Sequence, residues 1–200
     1  TPLYSSAASD VYKRQGDHQA ITALEWGIAR EAQDELAASS HQKMAAAYEE
    51  GFFDDLITPF LGLERDNNLR ADSTVEKLAK LKPAFGKGDA RTMTAGNSTP
   101  LTDGASCVLL ASEEWAKANG HEVLAYLTFQ ETAAVDFVEK KEGLLMAPAY
   151  AVPRMLERAG IKLQDFDYYE IHEAFASQVL STLKAWEDPK FCKDRLGLDA

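Results

Sequence analysis

Two short segments constrain this chain more than anything else in it. The first is Thr-Ala-Gly-Asn-Ser-Thr-Pro-Leu-Thr-Asp-Gly-Ala-Ser at 94–106, and the second is Glu-Ile-His-Glu-Ala-Phe-Ala-Ser-Gln at 170–178. In each, a strand-like run breaks into Gly, Asn or His where a new element begins. Such breaks carry backbone amides, and in the second segment an imidazole, to the rim of a sheet, where α/β folds build their sites.

The sequence around them alternates in the same way. Residues 31–50 predict a long amphipathic helix, with Ala32, Leu36, Ser40, Met44, Ala47 and Tyr48 on one stripe and Gly51 to close it. The apolar run 56–60 contains Pro59 and is an edge strand at most, and 61–71 is a polar connector. Ser73 and Glu76 form a capping-box pattern before a short helix at 74–81, and 82–89, with Pro83, Gly86 and Gly88, is a loop. Runs 91–94 and 106–111 read as buried strands around a polar turn. Ser112 caps a helix through Asn119 that ends at Gly120, with Glu113 and Glu114 in its first turn. Residues 123–132 are β-rich, and Pro153 suits the first turn of a helix ending near Ala159 and Gly160, with Leu156 and Ala159 facing inward. A strand at 166–171 and a helix at 173–186 complete the pattern. Strand followed by helix, repeated, predicts an α/β fold with a partly parallel sheet, and a boundary near Arg91.

Composition excludes several function classes. Of 200 residues, 46% are apolar, enough for a core. No apolar run reaches the ~18 residues of a membrane-spanning helix, and no secretory signal pattern is present. A net charge of −11 disfavours a nucleic-acid backbone as partner. Two cysteines, Cys107 and Cys192, make no disulfide framework and fit a reducing compartment. The expectation is a soluble cytoplasmic protein. Residues 1–15 show neither helical nor strand periodicity, and 198–200 follow a helical stretch without a capping signal. Both ends predict a piece of a longer product, with 1–15 foreign or disordered.

Among residues able to carry chemistry, His172 stands out. It lies where a strand gives way to a helix, so its ring is expected near the free N–H groups of the first turn. An imidazole there can donate an N–H to negative charge developing on an oxygen. By position alone, a structural histidine capping the helix is the commoner use. His18, His41 and His121 read as surface or packing residues. In the first segment, Ala95 and Gly96 allow a ligand close to the backbone, while Asn97, Thr99 and Asp103 add polar handles. A tight turn between two core strands explains the same residues equally well. Phe85 and Leu144 could wall a narrow apolar slot. No Gly-rich phosphate cradle appears. Cys107, in an apolar strand, is expected to be inert. Cys192, among Phe191, Lys193 and Arg195, has cations to help ionise it but no placed base. Neither cysteine has metal-ligand spacing with a histidine. The pairs Asp34–Glu35, Glu49–Glu50 and Asp54–Asp55 read as solvated faces.

Four ordered segments resemble one family. The run at 94–106 is similar to the TAGN–S–DGA segment of thiolases, the enzymes that make or cleave 3-oxoacyl-CoA thioesters. Lys-Leu-Lys-Pro-Ala-Phe at 80–85 resembles their KLRPAF segment, residues 28–42 resemble their SREEQDEFA–SHQ helix, and 170–178 resemble their NEAFA-type block. The likeness runs from about Asp17 to the end. It implies a layered α/β fold, incomplete here, with residues 16–95 as a helix-and-loop-rich loop domain that covers CoA and makes oligomer contacts. Residues 96–120 would end the first core domain, and 121–200 begin the second. Many biosynthetic members carry Asn where this chain has His172. The His form, with Gly-Leu-Leu-Met-Ala-Pro at 143–148, is more similar to the β-oxidation branch that includes the trifunctional enzyme's β subunit.

The resemblance gives His172 a catalytic role, holding a water or donor in the oxyanion hole. Phe85, Ala95, Thr99 and Leu144 map to the pantetheine pocket, with Thr99 where many members have Ser and Leu144 where many have Met. It implies coenzyme A as substrate, no permanently bound cofactor, no metal, and a homo-oligomer or a complex with a β-oxidation subunit. The acyl-accepting cysteine, the Gly-His-Pro histidine and the second catalytic cysteine of the family fall outside the matched stretch. Asp17 and His18 lie near a CoA-contacting histidine of the family, but the preceding residues do not match. Three functions follow: thiolytic cleavage of 3-oxoacyl-CoA in β-oxidation, the reverse condensation of two acetyl-CoA, or a non-catalytic acyl-CoA-binding or subunit-interface module.

Overall fold

The computed structural model describes residues 3–139 and 142–198. Residues 3–15, aperiodic in sequence, are helical: helix α1 runs through Leu3–Glu25, and Tyr12 on it stacks on Phe175 with ring centroids 5.5 Å apart. Ala, Lys, Arg and Gln favour the helix without an apolar stripe, which is why periodicity missed it. The outermost residues of both chain-end expectations, 1–2 and 199–200, lie outside the described residues.

Helix α2 spans Arg30–Glu49, and its predicted stripe is only half-buried. The buried positions are instead Gln33, Asp34 and Ala38, so the assignment of Asp34 to a solvated face was wrong. Gly51 follows with φ 75°, as expected. The predicted edge strand at 56–60 does not form. Phe60 and Leu63 exchange both backbone hydrogen bonds (3.0 and 2.9 Å) around Leu61 and Gly62, whose φ values of 48° and 82° make a tight turn. Helix α3 is short, Val75–Leu78, and its cap is Thr74 rather than Ser73, accepting from the Lys77 N–H.

Helix α4, Glu113–Ala118, is capped by Ser112 as predicted, with Gly120 left-handed after it. Helix α5, Pro148–Ala159, ends at Gly160 as expected but begins at Pro148, leaving Pro153 inside. An internal proline cannot donate to the carbonyl four residues back. Here that carbonyl, Ala149 O, accepts 3.2 Å from Trp186 Nε1 of helix α6, Ala176–Glu187. Asp188 caps helix α7, Pro189–Phe191, which runs into a π-helical turn at Cys192–Leu196 closed by Gly197.

No strand is assigned among the described residues, and the predicted runs at 91–94, 106–111, 123–132 and 166–171 are extended or turn segments. A strand acquires its ladder from a neighbour, and among the described residues the only pairings are isolated bridges, Pro83 with Thr94 and Ser98 with Phe175 nearest the core. Apolar side chains meant for a sheet core therefore face solvent, Val108 at 82% and Leu124 at 89% exposure.

Two clusters hold the helices. Ala20, Phe85, Ala90, Met93 and Phe175 form one, with Phe85 and Phe175 edge to face at 5.6 Å. Met146, Ala149, Ala185 and Phe191 form the other, with Trp26 against Phe191. Helix α6 packs on α1, α2 and α5 and joins the two. Among the described residues no helix is long and apolar enough to cross a membrane.

The exposed apolar runs generate a prediction: the isolated chain binds a hydrophobic dye such as ANS and self-associates as concentration rises. A dye-silent monomer in sedimentation would contradict it.

Candidate functional site

The turn at 94–99 is built by its own side chains. Thr94 is extended and fully buried, and its Oγ1 accepts from Gly96 N–H at 3.2 Å. Asn97 reaches back, its Oδ1 accepting from Thr94 N–H at 2.8 Å, which closes a reciprocal cap around a single 3₁₀ turn, Ala95–Asn97. Pro83 pairs with Thr94, and Ala84 N–H donates to Met93 O at 2.8 Å, so the entering chain is fixed. On the exit side, Ser98 bridges Phe175, and Thr99 N–H donates to Ala174 O at 2.9 Å.

Residues 95–100 form one wall of a cavity of about 450 Å³. The other walls come from α2 (Ala37, Ser40, His41), from the connector (Asn68, Arg70, Ser73), from Leu78 and Leu81, and from Glu173 with Ala176. The lining is mixed, with apolar Leu and Ala beside a guanidinium, an imidazole and hydroxyls. His41 Nδ1 accepts from the Arg70 N–H at 3.3 Å. Ser98 Oγ is buried without a hydrogen-bond partner among the described residues. A lining of this kind suits a ligand with apolar parts, a few amide or hydroxyl groups and an anionic end.

Of the residues singled out from sequence, Ala95 and Thr99 line the cavity. Phe85 does not; it is 8% exposed and packed in the first core cluster. Leu144 is half-buried and also outside the lining. His172 is exposed, and the expected contact with a helix start fails, because α6 begins at Ala176 and not at Glu173. The cause is Phe175: 1% exposed and bridged to Ser98, it holds the preceding backbone extended and delays the helix. Glu173, next to His172, does reach the cavity. Asp103 is exposed in the extended run that follows the turn. Gly96 serves packing, since a Cβ there would lie 2.5 Å from Leu81 Cδ1 and 2.6 Å from Leu78 Cδ2.

Sequence reasoning missed Arg30, Asp34, His41 and Arg70. Arg30 and Asp34 stand four apart on one helix, a spacing that signals an ion pair, and their atoms meet at 2.7 Å. A further partner of Asp34, Asn97, donates Nδ2 to its Oδ1 at 2.8 Å across 63 positions, which no local pattern shows. His18 faces Phe137 edge to face, His121 stacks on Trp115, and Asp17 accepts from Gly86 N–H at 2.9 Å.

Of the two cysteines, Cys107 departs from expectation, while Cys192 fits the structural rather than the nucleophilic reading. Cys107 is exposed, because the run that was to bury it has no sheet around it. Cys192 is buried, and burial, with a smaller push from Asp188, raises its thiol above the ordinary value. The neighbouring cations do not help ionise it. Among the described residues no cluster of three or more His, Cys, Asp or Glu is placed to hold a metal.

Residues 6–114 match the family model of the thiolase N-terminal domain, and residues 121–191 that of the thiolase C-terminal domain. The chain belongs to the thiolase family. Its fold is the layered α/β fold of thiolases, of which this chain displays a helix-rich part. It is 42% identical over 190 residues to a 3-ketoacyl-CoA thiolase of Yersinia enterocolitica, covering 92% of this chain and 43% of that protein. An acetyl-CoA acetyltransferase of Bacillus anthracis superposes with TM-score 0.77 at 38% identity, over 88% of this chain and 45% of that one. Human mitochondrial 3-ketoacyl-CoA thiolase, solved in complex with CoA, gives TM-score 0.77 at 31% identity, over 86% and 43%. The chain thus spans less than half the length of these thiolases.

The thiols give a direct check. A reagent such as DTNB is expected to label Cys107 at the rate of a free thiol, and Cys192 at least about a hundredfold more slowly until the chain unfolds. Equal labelling of both in the folded chain would contradict the buried position of Cys192.

Proposed function

We propose that the protein carrying this chain is a thiolase-type acyltransferase. Its reaction is CoA-dependent thiolytic cleavage of a 3-oxoacyl-CoA into acetyl-CoA and a shortened acyl-CoA, in fatty-acid β-oxidation. One observation carries the reading: in a chain of the thiolase family, the 94–100 turn presents Ala95, Ser98 and Thr99 to a cavity of mixed polar and apolar lining. A pantetheine arm needs apolar walls and a few hydrogen-bonding groups, and Arg70 in the same lining suits a phosphate at its nucleotide end. Phe85 and Leu144 are pantetheine-pocket residues by family resemblance alone; in this chain Phe85 packs in the first core cluster and neither lines the cavity.

His172 is the proposed oxyanion donor. Thiolysis and its reverse both pass through negative charge on the thioester oxygen, and an imidazole N–H directed there, or through a water, lowers that barrier. Its support is its place one residue from Glu173 of the cavity lining, on a segment whose end is anchored by Phe175. The domain scheme has 16–95 as the loop domain, 96–120 closing one core domain and 121–200 opening the next; residues 3–15 are continuous with helix α1 rather than apart from it. A homo-oligomer or a β-oxidation partner subunit is part of the same reading, supported by the exposed apolar runs. A reducing, cytoplasmic setting is supported by two free thiols.

Condensation of two acetyl-CoA to acetoacetyl-CoA is the second reading, favoured by the likeness to the Bacillus anthracis acetyl-CoA acetyltransferase. Comparing turnover of long-chain 3-oxoacyl-CoA with that of acetoacetyl-CoA by the full-length protein separates the two.

The chain itself is expected to bind CoA but not to cleave 3-oxoacyl-CoA, since Cys192 is buried and Cys107 has no placed base. Calorimetric titration and a thioester assay check this, and robust thiolysis would overturn it. In the full-length protein His172→Ala should depress kcat about a hundredfold with little change in KM, because an oxyanion donor acts mainly in the transition state. A change in KM alone would assign His172 to binding or structure.

A further inference from the structure

We propose that Asp34 is a positioning residue for this cavity, locking the 94–99 turn and, through it, the segment that carries His172. The proposal rests on reading the cavity as an acyl-CoA site. Asp34 lies on α2, far from both motifs in sequence, and is 0% exposed. A carboxylate so buried persists only when its oxygens are engaged, and both are. Oδ2 pairs with Arg30 Nε at 2.7 Å, and Oδ1 accepts from Asn97 Nδ2 at 2.8 Å.

That second bond decides which way the Asn97 amide points. With its NH₂ on the carboxylate, its oxygen must face Thr94 N–H, the bond that closes the turn. Arg30 completes a clamp from the other side. Its Nη2 donates to Leu78 O at 2.7 Å and Leu81 O at 3.2 Å, fixing the two leucines that pack against Gly96. From the turn the constraint passes on by Thr99 N–H to Ala174 O and by the Ser98–Phe175 bridge. One buried carboxylate therefore sets the positions of Ala95, Thr99 and the 172–175 backbone together. Apolar residues would fill the same space at lower desolvation cost. What the polar set contributes is a single geometry for the cavity wall.

A reciprocal exchange of side chains tests this. Asp34→Asn sets an amide between Arg30 and Asn97, which both donate, so one donor is left facing another. Asn97→Asp sets two carboxylates against each other. Made together, the substitutions restore every bond: the amide at 34 accepts from Arg30 and donates to the carboxylate at 97, which still accepts from Thr94 N–H. The measurements are amide exchange at Thr94 and Thr99 and affinity for CoA. Each single variant is expected to speed exchange at both amides about tenfold or more and to weaken CoA binding by a similar factor, with α5 amides unchanged. The double variant is expected to return exchange at both amides to within about threefold of the parent. Single variants with unchanged exchange, or a double variant no better than the worse single, would overturn the proposal. Should the parent chain not take up CoA at all, the acyl-CoA reading falls on its own, and the exchange data still decide whether Asp34 holds the turn.

Discussion

The close approach of helices to α6 is the constraint from which the rest of the structure follows. Its buried face is Ala176, Ser177, Gln178, Val179, Ser181, Thr182 and Ala185, almost all small. Small side chains let neighbouring backbones come near, and α1 answers with Ala20 and Ala23, both fully buried. Two hydroxyls on this face are satisfied within the helix, since Ser181 and Thr182 donate to the carbonyls of Ser177 and Gln178 one turn back. Ser181 Oγ also accepts from Gln19 of α1 at 3.5 Å, while Ser177 Oγ is buried without a hydrogen-bond partner among the described residues. Trp186, at the other end of α6, also donates to the carbonyl that Pro153 leaves open in α5.

The site inherits its shape from this packing. Phe175 enters the core just before α6 and is held extended by its bridge to Ser98. The residues ahead of it therefore run alongside the 94–99 turn and bring Glu173 to the cavity. The turn, in turn, is shaped less by glycine freedom than by Thr94, Asn97 and the carboxylate behind them. Apolar packing places the two motifs side by side, and a few buried polar bonds decide their orientation. The first term is the larger in energy and the second the more specific in direction.

Much of this was legible along the chain. Helix ends marked by local chemistry came out well: Ser112 before α4, and Gly120 and Gly160 after α4 and α5. Both motifs were visible as breaks, and their likeness to thiolases agrees with the family models that match the chain. The failures share a cause. Tyr12, Asp34, Cys107 and His172 each took their surroundings from residues distant in sequence. Asp34, charged and beside Glu35, had every local sign of a solvent-facing residue, and Asn97 reversed it. Cys107 had every sign of a core strand, yet no neighbouring strand is present among the described residues to bury it.

By itself the sequence determined several of the helices after α1, where some of them stop, and which family the chain resembles, because caps, turn residues and motif order are local properties. Only tertiary structure decided that Ala95 and Thr99 share a cavity wall while Phe85 lies in the core, that α6 begins beyond His172, and that a buried carboxylate holds the turn. Burial and hydrogen-bond partnership are relations between distant residues, and they exist only once helices have packed.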